Sequence, residues 1–387
     1  MPLRVSKASA LRAYPRLWDE TIDGLRFEGK GHVLFDGPGG LWYLRGAMMV
    51  TVYGAGAIGG TTGAALARAG HDVLLVDSHA PHVEAINAHG LTIEREGKLT
   101  TTPLRAVMPA GLGTDLPLIL LAVKSHHTPE ALAEIAPRLA AASTVVSLQN
   151  GLSEELIAQA IGPERTVGCL VNWAADWIGP GRILHGGHGA FVLGELDGRI
   201  TPRVRELAAL LSALVETPVT DNIWGYKWSK LIYGALLFGT AVVDAHVYEV
   251  VERSDQVQRV LIGIVGEGLA VADKAGVRVE PFDEFDPAWY RAAQGGDAAA
   301  GKRAMASIAA HYRAHTKTKT GIWRDLAVRK RKTEVDGQLG VLARKGESLG
   351  VAMPLTRGLI GIIRDLEDGR RQMDWKNFDP LVALAKP

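Results

Sequence analysis

Cysteine is almost absent: Cys169 is the only one in 387 residues. No intrachain disulfide can form, and a reducing, cytoplasmic location is expected. Set between Gly168 and Leu170, that residue reads as a small buried hydrophobe rather than a nucleophile. An excess of one charge is also absent, since 43 basic residues face 42 acidic ones for a formal charge of +1. No global field steers the chain to nucleic acid or an anionic membrane, and neither partner is expected. The longest charge-free apolar run, Leu231 to Val243, is too short to cross a bilayer, and the N-terminus lacks the basic-then-apolar layout of a secretory signal. No internal repeat is evident, and the one compositionally biased piece is a short alanine-rich stretch around Ala298. Metal ligands are missing too: His185 with His188 and His126 with His127 are pairs, whereas zinc needs three or four donors. The basic run Arg329 to Lys332 sits in a neutral chain and reads as a solvated helix face or an entry segment.

What is present is a chain of two-domain length with a change of pattern along it. Residues 1–47 hold neither a strand nor a helix period for long, and GPGG at Gly37 to Gly40 interrupts them; an N-terminal appendage outside the compact fold is expected. From Met49, strands alternate with helices. The expected elements are strands at Val50 to Tyr53, Asp72 to Val76, Leu116 to Val123 and Thr144 to Leu148, with helices at Ile58 to Ala69 and Pro81 to Ala88. Another helix is expected to start at Thr128-Pro129-Glu130, with Thr128 as its hydroxyl cap. After about Pro218 the strands stop, and helices are expected from a cap at Asp221 or Asn222, then at about 254–275, 298–315 and 333–349. The expected fold class is α/β. A Rossmann-like parallel-sheet domain over 48–218 precedes an all-helical domain over 219–375.

Between the first strand and its helix stands Gly54-Ala55-Gly56-Ala57-Ile58-Gly59. The first glycine permits a tight turn, the second lets backbone approach a pyrophosphate, and the third allows the helix to pack on the strand. Amides at the helix start then face the phosphate charge. Asp77 closes the second strand, where a carboxylate accepts hydrogen bonds from the ribose of NAD and repels the 2′-phosphate of NADP. No arginine follows closely, and His79 and His82 are poor substitutes; NAD is favoured over NADP. Two further strands deliver polar residues to the same sheet edge. Lys124 reads equally as a cofactor neighbour or a solvated loop lysine, and Asn150 as a cofactor-facing turn residue or an ordinary turn asparagine.

The run WGYKWSKLIYGALLFGTAVVDA, Trp224 to Ala245, is a helix bound for the interior that carries Lys227 and Lys230. On a wheel Lys230 shares a face with Gly234 and Ala241, leaving a hollow for a small molecule, while Trp224, Trp228, Leu231 and Ala235 pack inward. Read alone, Lys230 is either at that hollow or on a wetted edge, and Lys227 is placed nearer the exposed side.

Taken together, Gly54 to Gly59, LLAVKSHHT at Leu120, SLQNGLSEEL at Ser147, KWSKLIYGALLFGTA at Lys227 and KTEVDGQLGVLARKGESLGVAMP at Lys332 resemble the ketopantoate reductase family, in order from about Met49 to about Arg370. The resemblance implies hydride transfer from a nicotinamide to C2 of a 2-oxo acid, giving pantoate from ketopantoate in pantothenate synthesis. It implies that Lys230 is the catalytic lysine and proton donor, that Glu334 binds the cofactor ribose, and that Asn150 lies near the nicotinamide end. Lys124 matches the family's lysine after the fourth strand. A cation at Lys230 suits this chemistry because hydride addition puts negative charge on the carbonyl oxygen.

The chain departs from the family on the substrate side. Asparagines expected four and eight residues after the lysine are Gly234 and Phe238; a serine expected before Asp325 is replaced around Thr320 and Gly321. A site without those partners is expected to bind a polar acid less selectively and to suit a bulkier or more apolar one. Two other readings therefore stand beside a ketopantoate-type reductase: a D-2-hydroxy acid dehydrogenase using NAD(H), and a non-catalytic dinucleotide sensor. The expected partner is a small 2-oxo acid; the oligomeric state, homodimer included, is not fixed by the sequence.

Overall fold

A computed structural model describes residues 25–28, 32–37, 40–43, 49–186, 189–314 and 317–385. The expectation for residues 1–47 falls mostly outside them. The described part is a three-stranded antiparallel sheet of β1 (Leu25–Glu28), β2 (His32–Gly37) and β3 (Gly40–Tyr43), with Leu34 opposite Tyr43.

The main sheet has seven strands: β4 (Val50–Tyr53), β5 (Val73–Val76), β8 (Arg105–Val107), β9 (Leu116–Leu121), β10 (Leu139–Ser147), β11 (Thr166–Asn172) and β14 (Ala190–Glu195). Their order is β8-β5-β4-β9-β10-β11-β14, parallel except for β14. Chain order thus reverses between β4 and β9, the switch point where doubly wound sheets bind ligands. Val50–Tyr53 and Val73–Val76 are buried throughout, as strands covered on both faces must be. The covering helices are α1 (Ala57–Arg68), α2 (Ala80–His89), α3 (Thr128–Ile135), α4 (Ser153–Ile161) and α5 (Pro202–Leu211).

A second sheet was not expected. Hairpin β6 (Leu91–Arg95) and β7 (Lys98–Thr102) joins hairpin β12 (Ala175–Gly179) and β13 (Arg182–His185) in the order β12-β13-β6-β7. It rests on α1 at Gly60, where a Cβ would meet Ile183 and Leu91 side chains at 2.6 and 3.1 Å.

The helical half comprises α6 (Ile223–Thr240), α7 (Val247–Val251), α8 (Asp255–Lys274), α9 (Pro287–Gln294), α10 (Ala298–Ala314), α11 (Gly321–Ala327), α12 (Leu339–Ser348), α13 (Pro354–Glu367) and α14 (Asp379–Leu384). Asn222 Oδ1 accepts from Gly225 N (3.2 Å) and Ser254 Oγ from Val257 N (3.3 Å), so polar side chains start α6 and α8. Three expectations are corrected. Thr128 lies inside α3 and caps nothing, because its buried hydroxyl accepts from Gln149 Nε2 at 2.8 Å. The helix expected from residue 333 begins only at Leu339, since the turn around Gly337 packs against Ser125. Of the two readings of the basic run, helix face or entry segment, the first falls: the run follows α11 and leads toward α12, with Arg329 and Arg331 paired to Asp325 (both 3.0 Å) and Lys332 to Asp368. Among the described residues no helix is long and apolar enough to cross a membrane.

Candidate active site

The glycine loop sits at the switch point. Gly54 has φ +100°, and a Cβ there would meet Val123 N at 2.7 Å, so the turn after β4 needs glycine on both counts. At Gly56 a Cβ would meet nothing within 4 Å, and Gly56 precedes α1 with no side chain capping its first amides. At Gly59 a Cβ would overlap the Gly54 carbonyl and press on Ala122 Cβ and Val52 Cγ1, both at 2.9 Å. One glycine therefore shapes the turn, one leaves open space over free amides, and one seats helix on strand. Ala57 and Ile58 begin α1 and stay partly open. Ala55 is buried, and its carbonyl accepts from His82 Nε2 (2.9 Å). His82 Nδ1 accepts from Gly181 N (2.9 Å), so the ring is the Nε2-protonated tautomer and braces the loop from behind. Asp77, at the end of β5, accepts from His79 N through Oδ1 (2.9 Å) and keeps Oδ2 for a further donor.

The loops after β9 and β10 are tied together by buried Gln149, which donates to Val123 O (2.9 Å) and Thr128 Oγ1. They present Lys124 and Asn150, both reaching solvent. Lys124 Nζ pairs with Glu334 Oε2 at 2.8 Å, joining the sheet half to the turn before α12. Beside it the Ser125 hydroxyl is buried with no hydrogen-bond partner among the described residues. Open space at Gly56, free helix amides, a spare Asp77 oxygen and that orphaned hydroxyl fit an elongated phosphorylated ligand carrying ribose.

On α6 the partly open positions after Trp224 are Tyr226, Lys230, Gly234 and Leu237, one stripe at helical spacing. Lys230 is the only charged member, and it lines a small crevice with Asn150 and Gly151. Its ammonium donates to Val171 O and lies 3.5 Å from Asn172 Oδ1. Asn172 Nδ2 donates in turn to Asp283. Burial lowers the Lys230 pKa to about 8, helped by the Lys227 charge and opposed by Asp283 and Glu284. Next to this group, Glu284 accepts from Tyr233 and pairs with His311 Nδ1 at 3.0 Å.

Lys227 corrects the sequence reading. It is 3% exposed, not solvated; its ammonium pairs with fully buried Glu154 at 2.7 Å and donates to the carbonyls of Gln149 and Cys169. The face of α6 against the sheet half is thus charged, and buried only because it is paired. Phe238 is a second correction: it is fully buried in the helical core and does not reach the cleft. Ala241 lies beyond the end of α6 and is buried, and the Cβ position of Gly234 is bordered by Gln338 Oε1 at 3.3 Å, so the expected hollow beside the two small residues is not formed. Thr320 is a buried N-cap whose Oγ1 accepts from Trp323 N (3.0 Å), and Gly321 starts α11 with open space at its Cβ position. Cys169 is fully buried, which pushes its thiol pKa up. Among the described residues no three His, Cys, Asp or Glu side chains group as metal ligands would.

Sequence reasoning missed Asn172, Asp283, Glu154 and Gln149. Asn172 had a usable signal: it ends β11 as Lys124 and Asn150 follow β9 and β10, but Val167 to Val171 was not read as a strand.

The model of "Ketopantoate reductase PanE/ApbA" matches residues 50–198, and that of "Ketopantoate reductase PanE/ApbA C terminal" matches 222–367. A 2-dehydropantoate 2-reductase of Mesorhizobium japonicum is 33% identical over 256 residues, 60% of this chain and 78% of that protein. One from Pyrococcus abyssi is 29% identical over 329 residues, 83% of this chain and 98% of its own. Among solved structures, a PanE/ApbA family ketopantoate reductase of Ralstonia eutropha superposes with TM-score 0.70 at 29% identity, covering 84% of this chain and all of that one. D-mandelate dehydrogenase, solved with NADH and anilino(oxo)acetate, shares the fold at TM-score 0.70 and 24% identity, covering 83% and 99% of the two chains. Sheet half and helical half match in the family's own order, and the chain belongs to the ketopantoate reductase family, NAD(P)-dependent oxidoreductases acting on a CH–OH group.

Proposed function

We propose that the protein reduces a 2-oxo acid to the 2-hydroxy acid, with Lys230 as proton donor, and that 2-dehydropantoate is the first substrate to test, as its relatives' names suggest. In this reading residues 48–218 hold the cofactor and residues 219–375 bring the lysine to it. A nicotinamide dinucleotide supplies hydride when bound; Gly54, Gly56 and Gly59 with the first amides of α1 would hold its pyrophosphate, and Asp77, Lys124 and Glu334 its riboses. Asp77 supports NAD over NADP, since a carboxylate repels a 2′-phosphate. As hydride reaches C2, the carbonyl oxygen gains negative charge. Lys230 stabilises that charge and then passes a proton from Nζ to the oxygen. Asn172, held by Asp283, steadies the ammonium, and Asn150 flanks the same crevice.

The observation that carries this reading is the stripe on α6, where the single charged side chain on the cleft side is a partly desolvated lysine. Gly234 favours a second reading, a D-2-hydroxy acid dehydrogenase with a bulkier, apolar substrate, because the helix offers no polar side chain one turn after the lysine. Turnover by Lys230→Ala with NADH and NADPH, alongside nicotinamide fluorescence titration, tests the assignment. The expected result is a loss of about a hundredfold or more in kcat with cofactor binding kept, and NADH preferred throughout. Undiminished turnover removes Lys230 from the mechanism.

A further inference from the structure

His82 stands on the first turn of α2, 1% exposed and turned to the back of the glycine loop. Its ring is spent on two backbone groups from distant parts of the chain. Nε2 donates to Ala55 O and Nδ1 accepts from Gly181 N, both at 2.9 Å, and Trp177 Nε1 lies 3.4 Å from the same Nδ1. Gly181 is itself fixed. It turns the β12–β13 hairpin with φ +67°, its carbonyl accepts from Thr92 N of β6 at 2.9 Å, and a Cβ there would lie 3.1 Å from Ala85 Cβ on α2.

What the bond to Ala55 fixes is a direction. A trans peptide unit is planar, with its C=O and N–H pointing opposite ways, and the Ala55 carbonyl shares its plane with the Gly56 N–H. Once the imidazole holds the carbonyl, the N–H is aimed away from His82, at the start of α1, where Gly56 borders open space. Glycine at 56 restrains that plane little by itself. The same hairpin also reaches the ribose acid: Trp177 meets the His79 ring edge-on at 5.7 Å, and His79 N donates to Asp77 Oδ1 at 2.9 Å.

Resting on the reading of the glycine loop as the pyrophosphate site, we propose that His82 is a positioning residue for the dinucleotide: by holding the Ala55 carbonyl it aims the Gly56 amide at the pyrophosphate, and through Gly181 it anchors that amide to the second sheet. His82 touches no part of the ligand. The ring with its proton on Nε2 is the form that serves, because the Gly181 amide and the Trp177 indole both need an acceptor at Nδ1. A histidine that reads in the sequence as a poor partner for a 2′-phosphate thus acts from beneath the loop, and the second sheet acquires a part in cofactor binding.

The test measures Kd for NADH by nicotinamide fluorescence, and the melting temperature, in the wild type, His82→Asn, His82→Gln and Gly56→Ala. An asparagine amide reaches as far as Nδ1 and a glutamine amide as far as Nε2, so the first keeps the Gly181 bond and releases Ala55, and the second does the reverse. Both lose the packing of the ring and should lower the melting temperature alike. Kd should rise about tenfold in His82→Asn, the value of one weakened hydrogen bond to a charged group, and stay within about twofold of the wild type in His82→Gln. Equal rises in the two variants, or none in either, would overturn the role of His82. Wild-type protein labelled with 15N-histidine covers the case in which neither variant folds: the exchange-protected ring N–H of His82 should shift as NADH saturates the protein, and a signal that stays in place would overturn the role equally. Normal NADH affinity in Gly56→Ala would instead sink the pyrophosphate reading of the loop and this proposal with it, a result separate from the first because it does not depend on position 82.

Discussion

Lys230 is subject to opposed influences whose balance sets a measurable pH. Desolvation and the neighbouring Lys227 charge disfavour its ammonium, Asp283 and Glu284 favour it, and the balance rests at about 8, down from 10.5. A proton donor must be protonated before it acts, so reduction should be level below pH 8 and fall about tenfold per unit well above it. The reverse oxidation needs the neutral amine and should rise over the same range. Initial rates in both directions between pH 6 and 10 check this; parallel falls in the two directions would show that another group titrates. Stability has its own sign. The folded pKa lies below the unfolded one, so burying the charge costs stability in full below pH 8, and the cost fades as pH rises toward 10.5. Lys227, one helical turn earlier, is paired with Glu154 at 2.7 Å. Two lysines on one helix thus divide the work, one held by a carboxylate and one by carbonyls at a cleft.

At the scale of elements, β4, the glycine loop and α1 form a unit whose three glycines can be separated by experiment. Gly56→Ala adds a methyl to open space, so the melting temperature should hold while Kd for NADH rises about tenfold or more through obstruction of the pyrophosphate. Gly59→Ala puts the methyl into the Gly54 carbonyl and the Ala122 and Val52 side chains, so it should lower the melting temperature by several degrees, as overpacking of about 1–3 kcal/mol does. Thermal melts and fluorescence titration on both variants check the pair, and a Gly56→Ala protein with normal NADH affinity would move the phosphate elsewhere. This unit was legible in sequence because each residue's job is local: a φ, a free amide, a close approach. The second sheet was not, because β6 pairs with β13, ninety residues downstream, and the alternation of Leu91, Thr92, Ile93 and Glu94 marks a strand without naming its partner. Lys124 and Glu334 were expected near one another through the family motifs, and the fold pairs them, whereas Asp283 was not expected beside Asn172, because their contact joins segments more than a hundred residues apart.

For the whole molecule, the question is what sets the sheet half against the helical half at the angle the cleft needs. Exposed pairs such as Lys345–Glu155 (2.7 Å) span the same boundary, but solvent-screened pairs contribute about 0–1 kcal/mol each. Lys227–Glu154 differs, because both side chains are buried at the junction of α6 and α4. A buried pair adds little net stability over an apolar one, yet removing one partner strands the other charge and costs about 3–5 kcal/mol. Lys227→Met and Glu154→Leu should each cost about that much in denaturant unfolding, whereas Lys345→Met should cost less than about 1 kcal/mol. The double variant Lys227→Met/Glu154→Leu should be more stable than either single one, though below the wild type, because the Gln149 and Cys169 carbonyls lose their donor. If both single variants unfold at the wild-type midpoint, the pair does not hold the halves together. If the double variant is stable but turns over slowly, the pair's contribution is to geometry: the ammonium of Lys227 fixes the register of α6 on the sheet half, and Lys230 meets the cleft only in that register.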